Sequence, residues 1–283
     1  MSDINWFPGH MAKAKRKIQE NLKLVDLVLE VIDARIPISS KNLGIDFYNK
    51  IKILVLNKYD ISDSLETQRW FEHFKKLNLN PIKISCFDKN FNHFFDFINE
   101  VLKEKIDFWK IKGIKKKAKI MVVGIPNVGK SFFINRLTKK NVAKVENKPG
   151  VTKKNQWFAL GKNFEILDTP GVLWPKLENE IGENLAICGS IKNSFLDIEN
   201  LACKLLDKLK NKYFENLIKK YDLKLEKSFL DSYDFLEYIG ENKKIFMSGE
   251  NIDLLRVSRM ILNDFNSGKL GKISLESVDD LNY

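Results

Sequence analysis

Short apolar, β-branched runs recur along the chain up to about residue 175: Leu24 to Ile32, Ile51 to Leu56, Ile82 to Ile84, Ile120 to Val123 and Phe164 to Leu167. Runs of this length separated by helix-length segments predict buried strands of a parallel or mostly parallel sheet. Beyond residue 175 the period changes. Leu201, Leu205, Leu209, Tyr213, Leu217 and Tyr221 recur every fourth residue, and Leu254, Val257, Ile261 and Phe265 form a similar stripe. Both stripes read as core-facing sides of helices. The pattern therefore predicts an α/β domain over residues 1–175 followed by an all-helical domain over residues 176–283. No internal repeat is present, and one linker-like stretch, Lys112 to Lys119 (KGIKKKAK), lies between a helical segment and a strand.

The run Ile120 to Val123 leads into GIPNVGKS, in which Gly124, Gly129, Lys130 and Ser131 fit the phosphate-loop pattern, and Phe132 to Leu137 continues as a helix. Strand, loop and helix are the context this pattern requires. Its glycines let backbone N–H groups approach phosphates, with Asn127, Val128 and Phe132 in the same loop and helix start. Lys130 reaches the β/γ oxygens, and Ser131 ligates magnesium. Asp168-Thr169-Pro170-Gly171 ends the run Phe164 to Leu167. Asp168 there can hold the magnesium shell, and the Gly171 N–H can sense a γ-phosphate. Thr152, between these two motifs, is the candidate switch threonine that closes over magnesium.

Asn57-Lys58-Tyr59-Asp60 follows the run Ile51 to Leu56 and resembles the NKxD element of GTPases. An Asp at this place accepts from two guanine N–H donors, the Asn reads the far edge, and the Lys stem covers the ring. Adenine presents the wrong donor pattern, so Asp60 selects GTP over ATP. Ser85-Cys86, after Ile82 to Ile84, matches the weaker second guanine loop, usually Ser-Ala. The order is reversed from that of an ordinary GTPase, because the base elements precede the phosphate loop. The domain reads as circularly permuted, and KGIKKKAK sits where the old last helix must be joined to the old first strand. The new chain ends then fall just after the switch, so a helical domain follows the nucleotide-sensing segment directly.

With that order fixed, the segments WFPGHMAKA (Trp6 to Ala14), Asp33-Ala34-Arg35-Ile36-Pro37 and Asp264 to Gly271 (DFNSGKLG) become informative. Together with the permuted motifs they resemble the ribosome biogenesis GTPase A family (YlqF/RbgA) over essentially the whole chain. The resemblance implies a cytoplasmic GTPase acting late in assembly of the large ribosomal subunit, its helical C-terminal domain binding ribosomal RNA or protein. Some other permuted GTPases carry zinc-binding cysteine and histidine clusters, which the three cysteines, Cys86, Cys188 and Cys203, have no spacing to build. The other readings are a nucleotide-switched placeholder on RNA, in which hydrolysis serves only release, another permuted GTPase acting on a different RNA, and a membrane-surface GTPase. The last lacks a lipidation signal or a long amphipathic hydrophobic helix.

Many GTPases position water with a glutamine just after the switch glycine. Here Val172 and Leu173 follow Gly171, so intrinsic turnover is expected to be slow. Restoring the ordinary order places residues 1 to 25 immediately after the switch, with Met11 to Leu24 as the switch helix. His10 then stands at its entrance, topologically near the missing glutamine. Topology and the family pattern together make His10 the candidate catalyst once the ribosome orders its loop; the competing role is helix capping or RNA contact. Asn127 is the candidate ligand for a potassium ion, as in GTPases with a similar GxPNxGKS loop. His73 and His93 read as surface or packing residues.

Composition sharpens the choice of partner. The 283 residues are 44% hydrophobic and 30% charged, enough for a packed core, and no run approaches a membrane span. The formal net charge is +11, with arginine a small minority of the basic residues. Residues 1–175 carry 32 basic and 18 acidic side chains, whereas residues 176–283 carry 16 and 19. A coding bias toward lysine does not explain that segregation. The excess lies in Lys13 to Lys17, the joint, and Lys139, Lys140, Lys144, Lys148, Lys153 and Lys154, which predicts a nucleotide-switch face set against ribosomal RNA. The expected protein is monomeric when free, with neither membrane nor DNA as partner.

Overall fold

The fold is described by a computed structural model covering residues 16–42, 47, 50–85, 87–138, 156–169, 179–191, 197–224 and 231–281. A six-stranded sheet has the order β3-β2-β1-β4-β6-β5. Its strands are β1 (Leu27–Asp33), β2 (Ile51–Asn57), β3 (Pro81–Ile84), β4 (Ala118–Val123), β5 (Gln156–Leu160) and β6 (Phe164–Asp168). All pairings are parallel except β5 with β6. Strand β1 is buried at every position, because β2 and β4 flank it and helices cover both faces.

Alternation along the strands divides the core. Leu27, Leu29 and Val31 of β1 face a core that also takes Ile120 and Val122 of β4 and helices α3 (Asn92–Val101), α4 (Lys103–Ile111) and α5 (Lys130–Thr138). Phe94 and Phe133 meet edge to face at 5.4 Å there, joining α3 to α5. On the other face, Ile18 and Leu22 of the described part of α1 (residues 16–22) pack on Val28, Met121, Val123 and Leu167. Beside them Trp70 and Phe74 of α2 (Ser64–Lys76) cover Ile32, Leu54 and Leu56.

The joint between α4 and β4 is tied down at its far end. Asp26 accepts from the Lys119 N–H at 3.0 Å, while its own N–H donates to the Lys119 carbonyl at 2.8 Å. Burial alone would raise the Asp26 carboxyl; the Lys119 N–H together with Lys105 and Lys116 outweighs it and lowers the pKa. Lys116 also lies over the Trp109 ring at 4.1 Å, so this joint lysine works inside the fold.

The C-terminal region contains α6 (Asn179–Ile187), α7 (Ile198–Lys212), α8 (Phe214–Tyr221), α9 (Ser232–Asn242) and α10 (Leu254–Asn266). The expected boundary at residue 175 lies outside the described residues, and the buried side chains of these helices run continuously into the first face of the sheet. Three features differ from the sequence reading. Strand β5 went unrecognised: at the sheet edge Leu160 alone among its described side chains is buried, so no apolar run marks it. The stripe from Leu201 to Tyr221 spans two helices, broken at Tyr213. It survives the break because Tyr213 N–H still donates to Leu209 and Leu217 N–H to Tyr213, keeping the four-residue step. Beyond α10 the chain leaves the helical pattern and returns as a strap across α2. The Ile273 N–H donates to the Ile61 carbonyl at 3.1 Å, the Leu275 N–H to the Arg35 carbonyl at 2.9 Å, and Trp70 Nε1 to the Glu276 carbonyl at 3.2 Å.

Phe94 is fully buried between β-sheet and α5, so Phe94→Ala should cost about 3–5 kcal/mol. Urea unfolding should show a lower midpoint with an unchanged slope; a loss below about 1 kcal/mol would show that the α3–α5 contact is not part of the cooperative core.

Candidate active site

In a parallel sheet the carboxyl ends of the strands share one edge, where loops can converge on a ligand. Register makes this concrete. Asp33 aligns with Asn57, Asn57 with Ile84, and Val122 with Asp168, while Gly124 follows the β4 terminus. Asn57, Lys58, Asp60, Ser85, the phosphate loop and Asp168 thus come to one edge although they are distant in sequence. His10, Cys86, Thr152 and Gly171 lie outside the described residues.

The loop is packed too tightly for side chains at two of its glycines. A Cβ on Gly124 would strike the Val31 carbonyl, and one on Gly129, where φ is +97°, would overlap the Asn57 side-chain amide. Asn57 Nδ2 donates to the Val128 carbonyl at 2.6 Å, so the base element and the phosphate loop are directly hydrogen-bonded. Val128 and Lys130 are buried, Ser131 is partly covered, and Phe132 is exposed at the start of α5. Lys130 Nζ donates to the Ile125 carbonyl at 2.7 Å. Burial pulls its pKa down to about 8, partly offset by the Asp168 charge, so the ammonium form predominates at neutral pH. Asp168 is buried at the end of β6, and Thr169 Oγ1 donates to the Val122 carbonyl at 2.5 Å, tying the start of the switch to β4.

The second base loop is held to the first. Asp88 accepts from Tyr59 OH at 2.7 Å with one oxygen and from the Ser85 N–H at 2.9 Å with the other. Burial and that bond push the Tyr59 hydroxyl up to about 12, keeping it a donor. Ser85 is buried, its Oγ accepts from the Phe87 N–H at 3.1 Å, and Phe87 lies 6.1 Å from the Phe132 ring. Asn127, at φ +60°, turns its Nδ2 to the Gly189 carbonyl at 2.6 Å, just beyond α6.

Sequence reasoning missed the role of Asp88 as the link between the two base loops, and no local signal marks it. It also missed Asp33, which is bonded to both Arg35 and Lys58; here the position of Asp33-Ala34-Arg35 at a strand's carboxyl end was an available signal. Among the described residues, His73 packs edge to face on Trp70 at 5.7 Å and His93 is exposed on α3. No group of three metal-type ligands occurs among the described residues, and no described helix is long and apolar enough to cross a membrane.

A phosphate loop leaving β4, base elements leaving β2 and β3, and a chain order that runs base half first define a circularly permuted P-loop GTPase. Residues 119–236 match the family model described as 50S ribosome-binding GTPase. The chain is 43% identical to Ribosome biogenesis GTPase A of Bacillus licheniformis, covering 98% of this chain and 99% of that one. It is 33% identical to the Thermotoga maritima protein of the same name, over 98% and 96%. The structure resembles GNP-bound YlqF from T. maritima with a TM-score of 0.65 at 29% identity, covering 95% of this chain and all of that one. The chain belongs to the ribosome biogenesis GTPase A family: it binds guanine nucleotide and is a GTP phosphohydrolase.

Gly129→Ala should preserve the fold yet force the Asn57 amide off the Val128 carbonyl. Guanine nucleotide affinity should fall by about tenfold or more, the equivalent of one buried hydrogen bond lost. Unchanged GDP affinity in titration calorimetry would show that the Asn57 clamp does not shape the site.

Proposed function

We propose that this chain binds the precursor of the large ribosomal subunit and couples GTP hydrolysis to a late step of its assembly. The observation that carries the proposal is the convergence of a permuted guanine site with family membership shared over the whole chain. The segregated positive charge supports it, since lysines on residues 1–175 suit phosphate contacts that position without reading sequence. In this reading residues 1–175 form the switch domain and residues 176–283 add contacts to ribosomal RNA or protein.

Within the site, Asp60 accepts from the two guanine N–H donors, Asn57 serves the far edge and the phosphate loop together, and the Lys58 stem covers the ring. Ser85 and Cys86 close the opposite side of the base. Backbone N–H groups of Asn127, Val128, Gly129, Lys130, Ser131 and Phe132 surround the phosphates, with Lys130 moving from the Ile125 carbonyl to the β/γ oxygens. The Gly171 N–H reports the γ-phosphate. Magnesium, which would neutralise developing charge, suits the oxygen donors of Ser131, Asp168 and Thr152, directly or through water. A potassium ion suits Asn127, whose amide nitrogen is committed to Gly189 and whose oxygen is the ligand atom.

Hydrolysis falls to His10. The described part of α1 packs on β4 and β6, the strands that carry the phosphate loop and Asp168, and His10 precedes this helix by a few residues in sequence, which supports the assignment. In this reading neutral His10 orients the attacking water once the chain is bound to the subunit. Intrinsic turnover is slow, and large subunits stimulate it. His10→Ala should abolish about 100-fold or more of any stimulated rate and leave GTP affinity within about twofold. Full stimulated turnover in the variant would remove His10 from the mechanism.

A further inference from the structure

Asp33-Ala34-Arg35-Ile36-Pro37 stands at the carboxyl end of β1 beside Asn57, yet has no assigned part in binding nucleotide. Asp33 is buried, and its carboxylate is shared. Arg35 donates from Nε to Oδ1 at 3.0 Å and from Nη2 to Oδ2 at 2.8 Å, while Lys58 Nζ donates to the same Oδ2 at 2.7 Å. Burial alone would raise the carboxyl pKa; the Arg35 and Lys58 charges overcome it and hold Asp33 well below the usual carboxylate range. Lys58 needs such an anchor, because its φ of +62° is a backbone region that lysine seldom adopts.

The guanidinium is equally committed on its other side. Arg35 is 0% exposed, and its CZ lies 4.6 Å from the centroid of the Phe265 ring. Its Nη1 and Nη2 point to the Phe265 carbonyl and Asn266 Oδ1, both at a long 3.4 Å. Asn266 Nδ2 in turn donates to the Ile187 carbonyl at 2.7 Å, at the end of α6, two residues before the Gly189 carbonyl that holds Asn127 of the phosphate loop. The ends of α6 and α10 are thus bonded to the base element through one limb and to the phosphate loop through the other.

We propose that Asp33 is a positioning residue for Lys58, and that Arg35 couples it to the C-terminal end of α10, so that the seating of the helical region sets guanine nucleotide affinity. The physical content is a chain of discrete contacts with few alternatives. A buried, planar guanidinium cannot release α10 without also loosening its grip on Asp33, and Asp33 cannot shift without moving the Lys58 ammonium. The coupling is reciprocal, so nucleotide that fixes Lys58 also tightens the α10 end. The proposal rests on the reading of Lys58 as a guanine-site residue, and its test separates the two.

Release of a fluorescent GDP from the full-length chain should be measured for Asn266→Ala, Arg35→Lys, Lys58→Ala and the Lys58→Ala/Asn266→Ala double variant, with urea midpoints taken alongside. Asn266→Ala stands at the rim of the cluster and leaves Asp33, Arg35 and Lys58 themselves unsubstituted, so it tests the coupling should Arg35→Lys fail to fold. Release should be about fivefold or more faster in Asn266→Ala, the lower range of ordinary site-to-site coupling, and that acceleration should vanish in the Lys58→Ala background. GDP should also slow amide exchange at residues 265–268. Unchanged release in Asn266→Ala, or an equal acceleration with and without Lys58, would overturn the coupling. Lys58→Ala with parental GDP affinity would instead overturn the guanine-site reading beneath it.

Discussion

The site depends on one pairing, the parallel ladder between β1 and β4, in which Leu27, Val28, Leu29 and Glu30 align with Ile120, Met121, Val122 and Val123. On one side of this seam lie the strands that carry the base elements, and on the other the phosphate loop and the switch strand. The two halves occur in the chain in the reverse of the usual order, joined only by the segment from Ile111 to Ala118. Two contacts between the halves follow directly from the seam. Gly124 can back onto the Val31 carbonyl, and Asn57 can reach Val128, because β1 fixes the distance between halves. The Asp26 bonds to Lys119 secure the amino-terminal end of the same seam.

A second consequence concerns the helical region. In this chain order the polypeptide leaves the switch and enters α6, and the strap after α10 returns to the loops following β1 and β2. Glu276 shows how firmly. Its carboxylate accepts from the Ile38 N–H at 2.6 Å, the Ser39 N–H at 3.0 Å and Asn184 Nδ2 at 3.1 Å, and from the Ser39 hydroxyl. Burial raises its pKa despite those donors. The region beyond the switch therefore embraces the base side of the site as well as following from its phosphate side.

Much of this was legible from residues alone, for identifiable reasons. Strands β1, β2, β3, β4 and β6 are largely buried and announce themselves as short, mostly apolar runs, and the glycine loop has the spacing of a phosphate-binding turn between a strand and a helix. The motif order was sufficient to read the permutation. Edge strand β5 was invisible, because a strand covered on one side and partly exposed on the other has neither a run nor a clean alternation. The strap was invisible because its hold on the domain is made by backbone groups, as at Ile273 and Leu275, and by single polar side chains such as Glu276, neither of which leaves a periodic pattern. Arg35 reaches Phe265 across 230 residues of sequence, and only the fold brings that pair together.

A nucleotide switch on the large ribosomal subunit, as proposed above, must hold its particle in one nucleotide state and leave it in the other. The most direct measurement is co-sedimentation of the tagged, full-length protein with large-subunit precursors and with small subunits, in a non-hydrolysable GTP analogue and in GDP, across a salt series. Retention on large-subunit particles with the analogue, loss with GDP, and weakening as salt rises are the expected results. Equal retention in both nucleotides, equal binding to small subunits, or association indifferent to salt would contradict the proposal.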